Sequence, residues 1–361
     1  MVGVASISDI RKIGAIGGRT IGIYLITTAL AVSIALMIAK VVQPGVGLNM
    51  AGIAQTNVTT NVTVADTILS MIPDNPFYSL ANGDMLPVII FGVLVGIILA
   101  TLKDEADIIN KFFTQGNTVM MKMTRIVMKF APIGIFCLMA RTFASMGFDG
   151  IIPLVKYIGC VLICLAIQGF IVYPSLLVLF TRLNPIRFFK KFFSVMFFAF
   201  SSSTSNATIP LNLAKLSELG VSRDISSFTV PLGATINMDG TAIMQGCAVM
   251  FAAQAYGMDL GTSALLTVVF TAVMASIGTA GVPSVGLITL NMVFSSIGLP
   301  VDAIGIIMGI DHVLDMFRTA VNVTGDAICT IIVSFKNKAI NLDLYNGRKA
   351  PRETWDDITR F

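Results

Sequence analysis

The sequence predicts an all-α polytopic membrane protein with two re-entrant hairpins, inserted from opposite sides, that alternate with broken or polar helices. Composition is the first ground. Of 361 residues, 55% are hydrophobic and 12% charged, whereas a soluble domain carries about 25% charged residues. The second ground is the recurrence of apolar runs long enough to cross a bilayer, joined by connections that are alternately basic and neutral or acidic. The third is a set of polar interruptions in the C-terminal half, rich in hydroxyls, amides, glycine and carboxylates.

Taken in order, residues 1–20 carry Arg11, Lys12 and Arg19 and form a cytoplasmic segment before a first span, Ile21 to Val42. A long connection over 43–87 has no Lys or Arg. Val88 to Leu102 reads as a short second span, Lys103 to Lys122 as a mixed-charge loop, Thr118 to Phe143 as a third span and Ile151 to Phe180 as a fourth. Basic residues cluster before Ile21, over 103–125, over 182–191, at Lys215 and Arg223, and after Phe335. The rule that basic loops stay inside places both termini, including a tail over 336–361, in the cytoplasm of a cell (inner) membrane. Their position between spans also argues against a nucleic-acid surface.

After Arg182 the pattern changes. Phe188 to Phe200 is apolar, breaks at Ser201 to Pro210 (SSSTSNATIP) and resumes to Leu219, with basic flanks on both sides. This predicts a hairpin over about 186–219 that enters from the cytoplasm. A span over about 224–256 is interrupted at Asn237 to Thr241 (NMDGT). A second hairpin, over about 260–299, breaks at Gly278 to Gly286 between acidic flanks, so it enters from outside. The last span, over about 301–335, contains DHVLDMFRTAVNVTGD. There Asp311, Asp315, Arg318, Thr319, Asn322 and Asp326 share one helical face of roughly 100°. Paired broken segments of this kind place a binding site near the bilayer midplane.

Hydroxyls, carbonyls, amides and carboxylates form a hard-oxygen donor set suited to Na⁺. Asp239, Asp311, Asp315 and Asp326 against Arg318 leave about −3, which calls for cations or protons in low dielectric. Arg318 offers a fork for a substrate carboxylate and Asp315 an acceptor for an ammonium group. The five cysteines lie in apolar runs without metal-site spacing, Cys160 and Cys164 reading as a packed helix face. The single histidine, His312, reads as a helix-packing residue. Neither a nucleophile–base set nor a nucleotide-binding loop is apparent, so no enzyme is expected.

The Ser-rich tip ending in Ala-Thr-Ile-Pro, then PLGATINMDGT, SIGTAGVP and DxxxDxxRTxxNVxGD together resemble the dicarboxylate/amino acid:cation symporter family, the glutamate transporter homologues. The resemblance covers nearly the whole chain. It implies a glutamate-transporter-like fold, N-terminally short of the family pattern, beginning near the end of the family's second helix. It also implies a homotrimer in the lipid bilayer, with scaffold helices within 43–150 and a moving transport domain formed by the first span and 151–335.

Substrate binding is implied for Thr204, Ser205, Asn206, Thr241, Gly281, Val282, Asp315, Arg318, Thr319 and Asn322. One sodium is implied near Gly233, Asn237, Asn322 and Asp326. A second is implied near Thr235, Met238, Ser276, Ile277 and Thr279, and a third near Tyr24, Thr27, Thr28, Asn237 and Asp239. Besides the short N-terminus two departures stand out: family members often carry another arginine, either at the first tip or beside the substrate aspartate, where this chain has Ser203 and Met316, and Asn206 stands where serine is usual. The function implied is sodium-coupled symport of an acidic amino acid, aspartate or glutamate. The alternatives are a proton- or sodium-coupled carrier of C4-dicarboxylates or neutral amino acids and, from a different class, a passive ion channel or transport-dead sensor.

Overall fold

The computed structural model describes residues 16–48, 72, 75–82, 85–130, 133, 136–137, 140, 151–277, 281 and 284–348. Among these residues the chain is helical, with one isolated β-bridge between Val221 and Ile340. The helices are α1 (Gly18–Val42), α2 (Pro76–Asn82), α3 (Met85–Leu102), α4 (Asp107–Met128), α5 (Ile151–Ile167), α6 (Tyr173–Thr181), α7 (Pro185–Ser202), α8 (Ser205–Glu218), α9 (Arg223–Ile236), α10 (Asp239–Ala255), α11 (Thr262–Ser276), α12 (Val285–Ser296), α13 (Asp302–Lys336) and α14 (Leu342–Tyr345). Among the described residues three stretches are long and apolar enough to cross a membrane: Gly18–Val42, Ile152–Thr181 and Asp302–Lys336.

Two helices form the centre. α10 is apolar nearly all round and almost every residue in it is buried, as expected of a helix surrounded by others. It packs on α1, α5, α11, α12 and α13. α13 has 35 residues, about 52 Å of helix, and packs on α6, α7, α8, α9 and α10. Outward faces carry large apolar side chains such as Ile26, Met37, Val155, Phe170, Leu179, Phe193 and Phe197, a surface suited to lipid.

The breaks are short and locally determined. α7 starts behind an Asn184 cap, whose side chain accepts from the Ile186 amide, with Pro185 at the first turn. It ends where Ser203 turns left-handed, at φ 49°, and Thr204 is extended. α8 then packs back on α7. α9 stops at Asn237 and α10 begins at Asp239, so the interruption is narrower than NMDGT. α11 and α12 also pack on each other, and Ser284 before α12 is left-handed, at φ 60°.

The segment expected as a loop from Lys103 is instead a 3₁₀ turn, Lys103–Ala106, followed by α4. Its mixed charges support a helix: Lys111 and Asp107, four residues apart, form an exposed ion pair of 2.7 Å. The helix reaching the expected third span therefore begins at Asp107, not Thr118, and most of 131–150 lies outside the described residues. The fourth span is a single 30-residue stretch, with a π turn over Gln168–Val172. His312 does not pack: it is exposed beside the buried Asp311, because one residue along a helix is about 100° around it.

Gly325 marks a close approach within the core. A Cβ there would collide with the Tyr173 hydroxyl and come within 2.7 Å of the Asn237 amide nitrogen. Gly325→Ala is expected to lower stability by about 1–3 kcal/mol. Gly22→Ala, where a Cβ would meet nothing within 4 Å, should be neutral or better, and thermal unfolding in detergent compares the two.

Candidate functional site

The polar stripe of α13 is buried and divides into two groups. In the first, Arg318 is 0% exposed, Nη2 donating to Asp315 Oδ1 at 2.7 Å. Its Nη1 lies 2.7 Å from Asp311 Oδ1 but out of hydrogen-bond alignment, and among the described residues Nε, Nη1 and both Asp311 oxygens lack an aligned partner. The remaining Asp315 oxygen accepts from the Ser284 amide at 3.0 Å, so the free N–H at the start of α12 caps a carboxylate of α13. Thr319 donates back to the Asp315 carbonyl. Thr241 reaches this group from α10: its methyl and the Arg318 fork both lie against Gly286.

Beside this group the two hairpin tips meet. The Gly281 carbonyl accepts from the Thr204 hydroxyl at 2.6 Å and from the Asn206 amide at 3.3 Å. An α8 amide that lacks a helical partner is thus satisfied by backbone of the second tip. Ser205 is buried and Asn206 exposed, both close to Gly281. Val282 lies outside the described residues.

The second group is a cage around two carboxylates. Asp239 and Asp326 are 0% and 1% exposed. Asp239 Oδ1 accepts from Thr28 at 2.6 Å and from Thr27 at 3.5 Å. Its Oδ2 accepts from Tyr173 at 2.8 Å and from Gln168 at 3.0 Å. Asp326 accepts from the Asn237 amide at 2.9 Å, and Asn237 accepts in turn from Thr27 at 3.3 Å. Asn322 accepts from the Gly240 amide at 2.7 Å, an approach that leaves no room for a Cβ, since Arg318 backbone lies 2.7 Å from where one would be. Gly233 backs onto the Asp326 carboxylate and the Tyr24 hydroxyl, and Tyr24 donates to the Thr229 carbonyl. Among the described residues no Lys or Arg pairs with Asp239 or Asp326.

The structure thus brings together Tyr24, Thr27, Thr28, Gly233, Asn237, Asp239, Asn322 and Asp326. The set expected for the second sodium is not gathered in the same way. Thr235 and Ser276 turn their hydroxyls to carbonyls of their own helices. Met238 turns its sulfur to Asn322 at 3.3 Å, Ile277 packs near Tyr24 and Leu232, and Thr279 lies outside the described residues. Sequence reasoning missed Gln168 and Tyr173. The available signal was two polar groups in an otherwise apolar span, but five residues apart they do not share a face of a regular helix.

The model of the sodium:dicarboxylate symporter family matches residues 1–335. A proton/sodium-glutamate symport protein from Geobacillus stearothermophilus is 34% identical over 343 residues, covering 92% of this chain and 81% of that protein. A proton/glutamate-aspartate symporter from Escherichia coli is 33% identical over 347 residues, covering 92% and 79%. The mouse excitatory amino acid transporter 1 is 35% identical over 304 residues, covering 82% of this chain and 56% of its own length. With the match running through every element that builds the two polar groups, the chain belongs to the sodium:dicarboxylate symporter family and is a membrane transporter.

Proposed function

We propose that the protein is a sodium-coupled symporter of an acidic amino acid, aspartate or glutamate. One observation carries this reading: two fully buried carboxylates, Asp239 and Asp326, have neutral donors around them but no basic partner among the described residues. Hydrogen bonds offset part of the desolvation cost and leave the net charge. Small hard cations held by carboxylate, amide, hydroxyl and carbonyl oxygens would supply the missing charge, and their gradient would drive uptake.

The Arg318 group reads as the substrate site. The substrate side-chain carboxylate takes the guanidinium fork, while its ammonium takes Asp315, replacing the internal Arg318 and Ser284 partners. Thr241, Thr319, Asn322 and the tip residues Thr204, Ser205, Asn206, Gly281 and Val282 complete the pocket. Gly233, Asn237, Asn322 and Asp326 form one sodium site. Tyr24, Thr27, Thr28, Asn237 and Asp239 form another, and Thr235, Met238, Ser276, Ile277 and Thr279 would form a third once Thr235, Met238 and Ser276 leave their present internal partners. Loss of the Thr204–Gly281 contact would let the second hairpin open as a gate from outside.

In this reading the first span and residues 151–335 move together against a scaffold within 43–150, in a homotrimer of the cell membrane with both termini cytoplasmic. The outward apolar faces and the basic inter-span segments support it. Proton coupling is the second reading, favoured by relatives whose names include protons. A channel would draw selectivity from a symmetric ring; here the ligands come from successive elements of one chain.

Purified protein in liposomes should concentrate labelled aspartate only under an inward Na⁺ gradient. Uptake that ignores Na⁺ and collapses with the pH gradient would shift the coupling ion to the proton. Arg318→Ala is expected to abolish transport of acidic substrates while Na⁺ binding stays measurable. Near-normal aspartate affinity in that variant would remove the guanidinium from the substrate role. Asp326→Asn should raise the Na⁺ concentration for half-maximal uptake at least about tenfold, equivalent to ~1.4 kcal/mol, and titration of uptake against Na⁺ measures it.

A further inference from the structure

Cys160 and Cys164, one turn apart on α5, face Cys247 of α10, and all three are buried. Cys247 Sγ lies 3.8 Å from Cys160 Sγ and 3.9 Å from Cys164 Sγ, and the three sulfurs fall within 4.8 Å of one another. Sequence spacing shows only the pair on α5; the fold supplies the third thiol. A point equidistant from all three sulfurs lies roughly 2.2–2.5 Å from each, which matches a metal–thiolate bond of about 2.3 Å. No other Cys, His, Asp or Glu among the described residues joins the cluster.

We infer that this triad is a trigonal site for a soft d¹⁰ cation, Cu(I) in class, set apart from the hard-oxygen cage. Thiolates select soft ions, and three donors without a fourth suit trigonal coordination better than the tetrahedral shell of structural zinc. Binding involves no redox step. Two thiols release their protons to solvent as Cu(I) binds, the third coordinates as a thiol, and the site carries one negative charge. Gln168, which donates to Asp239, stands one turn beyond Cys164, and Asp239 begins the helix that carries Cys247. A bound ion therefore ties together the two helices that frame the Asp239 carboxylate.

The test uses the full chain, produced in copper-supplemented cells so that the ion is present while the protein folds, then purified anaerobically with ascorbate. About one copper per chain is expected, with an X-ray absorption shell of sulfur alone near ~2.3 Å. Cys247→Ser and, separately, Cys164→Ser should bring copper to background while Na⁺-driven uptake persists. Cys329→Ser, in a different packing cluster, should keep it. Copper-free wild type, a nitrogen or oxygen shell, or copper that survives both triad substitutions would overturn the assignment. Should one triad variant fail to fold, the other and the absorption spectrum of the wild type still decide.

Discussion

Two carboxylates lie where water does not reach and where, among the described residues, no cationic side chain meets them. Asp239 and Asp326 are hydrogen-bonded by hydroxyls and amides from three segments of the chain, yet hydrogen bonding and charge compensation are separate requirements. The first is met inside the chain and the second is not. This imbalance explains why so many elements converge here. α1 brings Tyr24, Thr27 and Thr28, the span before α7 brings Gln168 and Tyr173, and the break between α9 and α10 brings Asn237.

The neighbouring group on α13 shows the opposite arrangement. Arg318 contacts two acids of its own helix, so its charge is met internally, but the contact to Asp311 is out of alignment. A guanidinium with Nε and Nη1 unaligned retains directional capacity for another planar acceptor. The start of α12, tied to Asp315 through Ser284, places the second hairpin directly over that capacity. The Arg318–Asp315 pair and the position of the second hairpin are therefore linked by one backbone amide.

Much of this was legible in the sequence, because spacing on one helix and breaks within apolar runs are local properties. The stripe from Asp311 to Asp326 needed only the helical period, and the breaks needed only Ser, Gly and Pro in membrane-length runs. The meeting of Thr204 with Gly281, 77 residues apart, has no local trace, and neither does the third thiol brought by α10. The mixed charge around α4 resembles a loop in composition, and only the four-residue spacing of Asp107 and Lys111 marks a helix. His312 is exposed because its angle on the helix turns it away from the face that buries Asp311.

The π turn at Gln168–Val172 has a consequence for how the chain tolerates change in length. On a regular helix, positions five apart diverge by about 140°, so Gln168 and Tyr173 would address different neighbours. The wider turn, closed between residues five apart, brings both onto the same oxygen of Asp239. The extra residue in that turn is thus a phase shifter, and the segment behaves like a vernier: remove one residue and everything on one side of it rotates out of step with the cage.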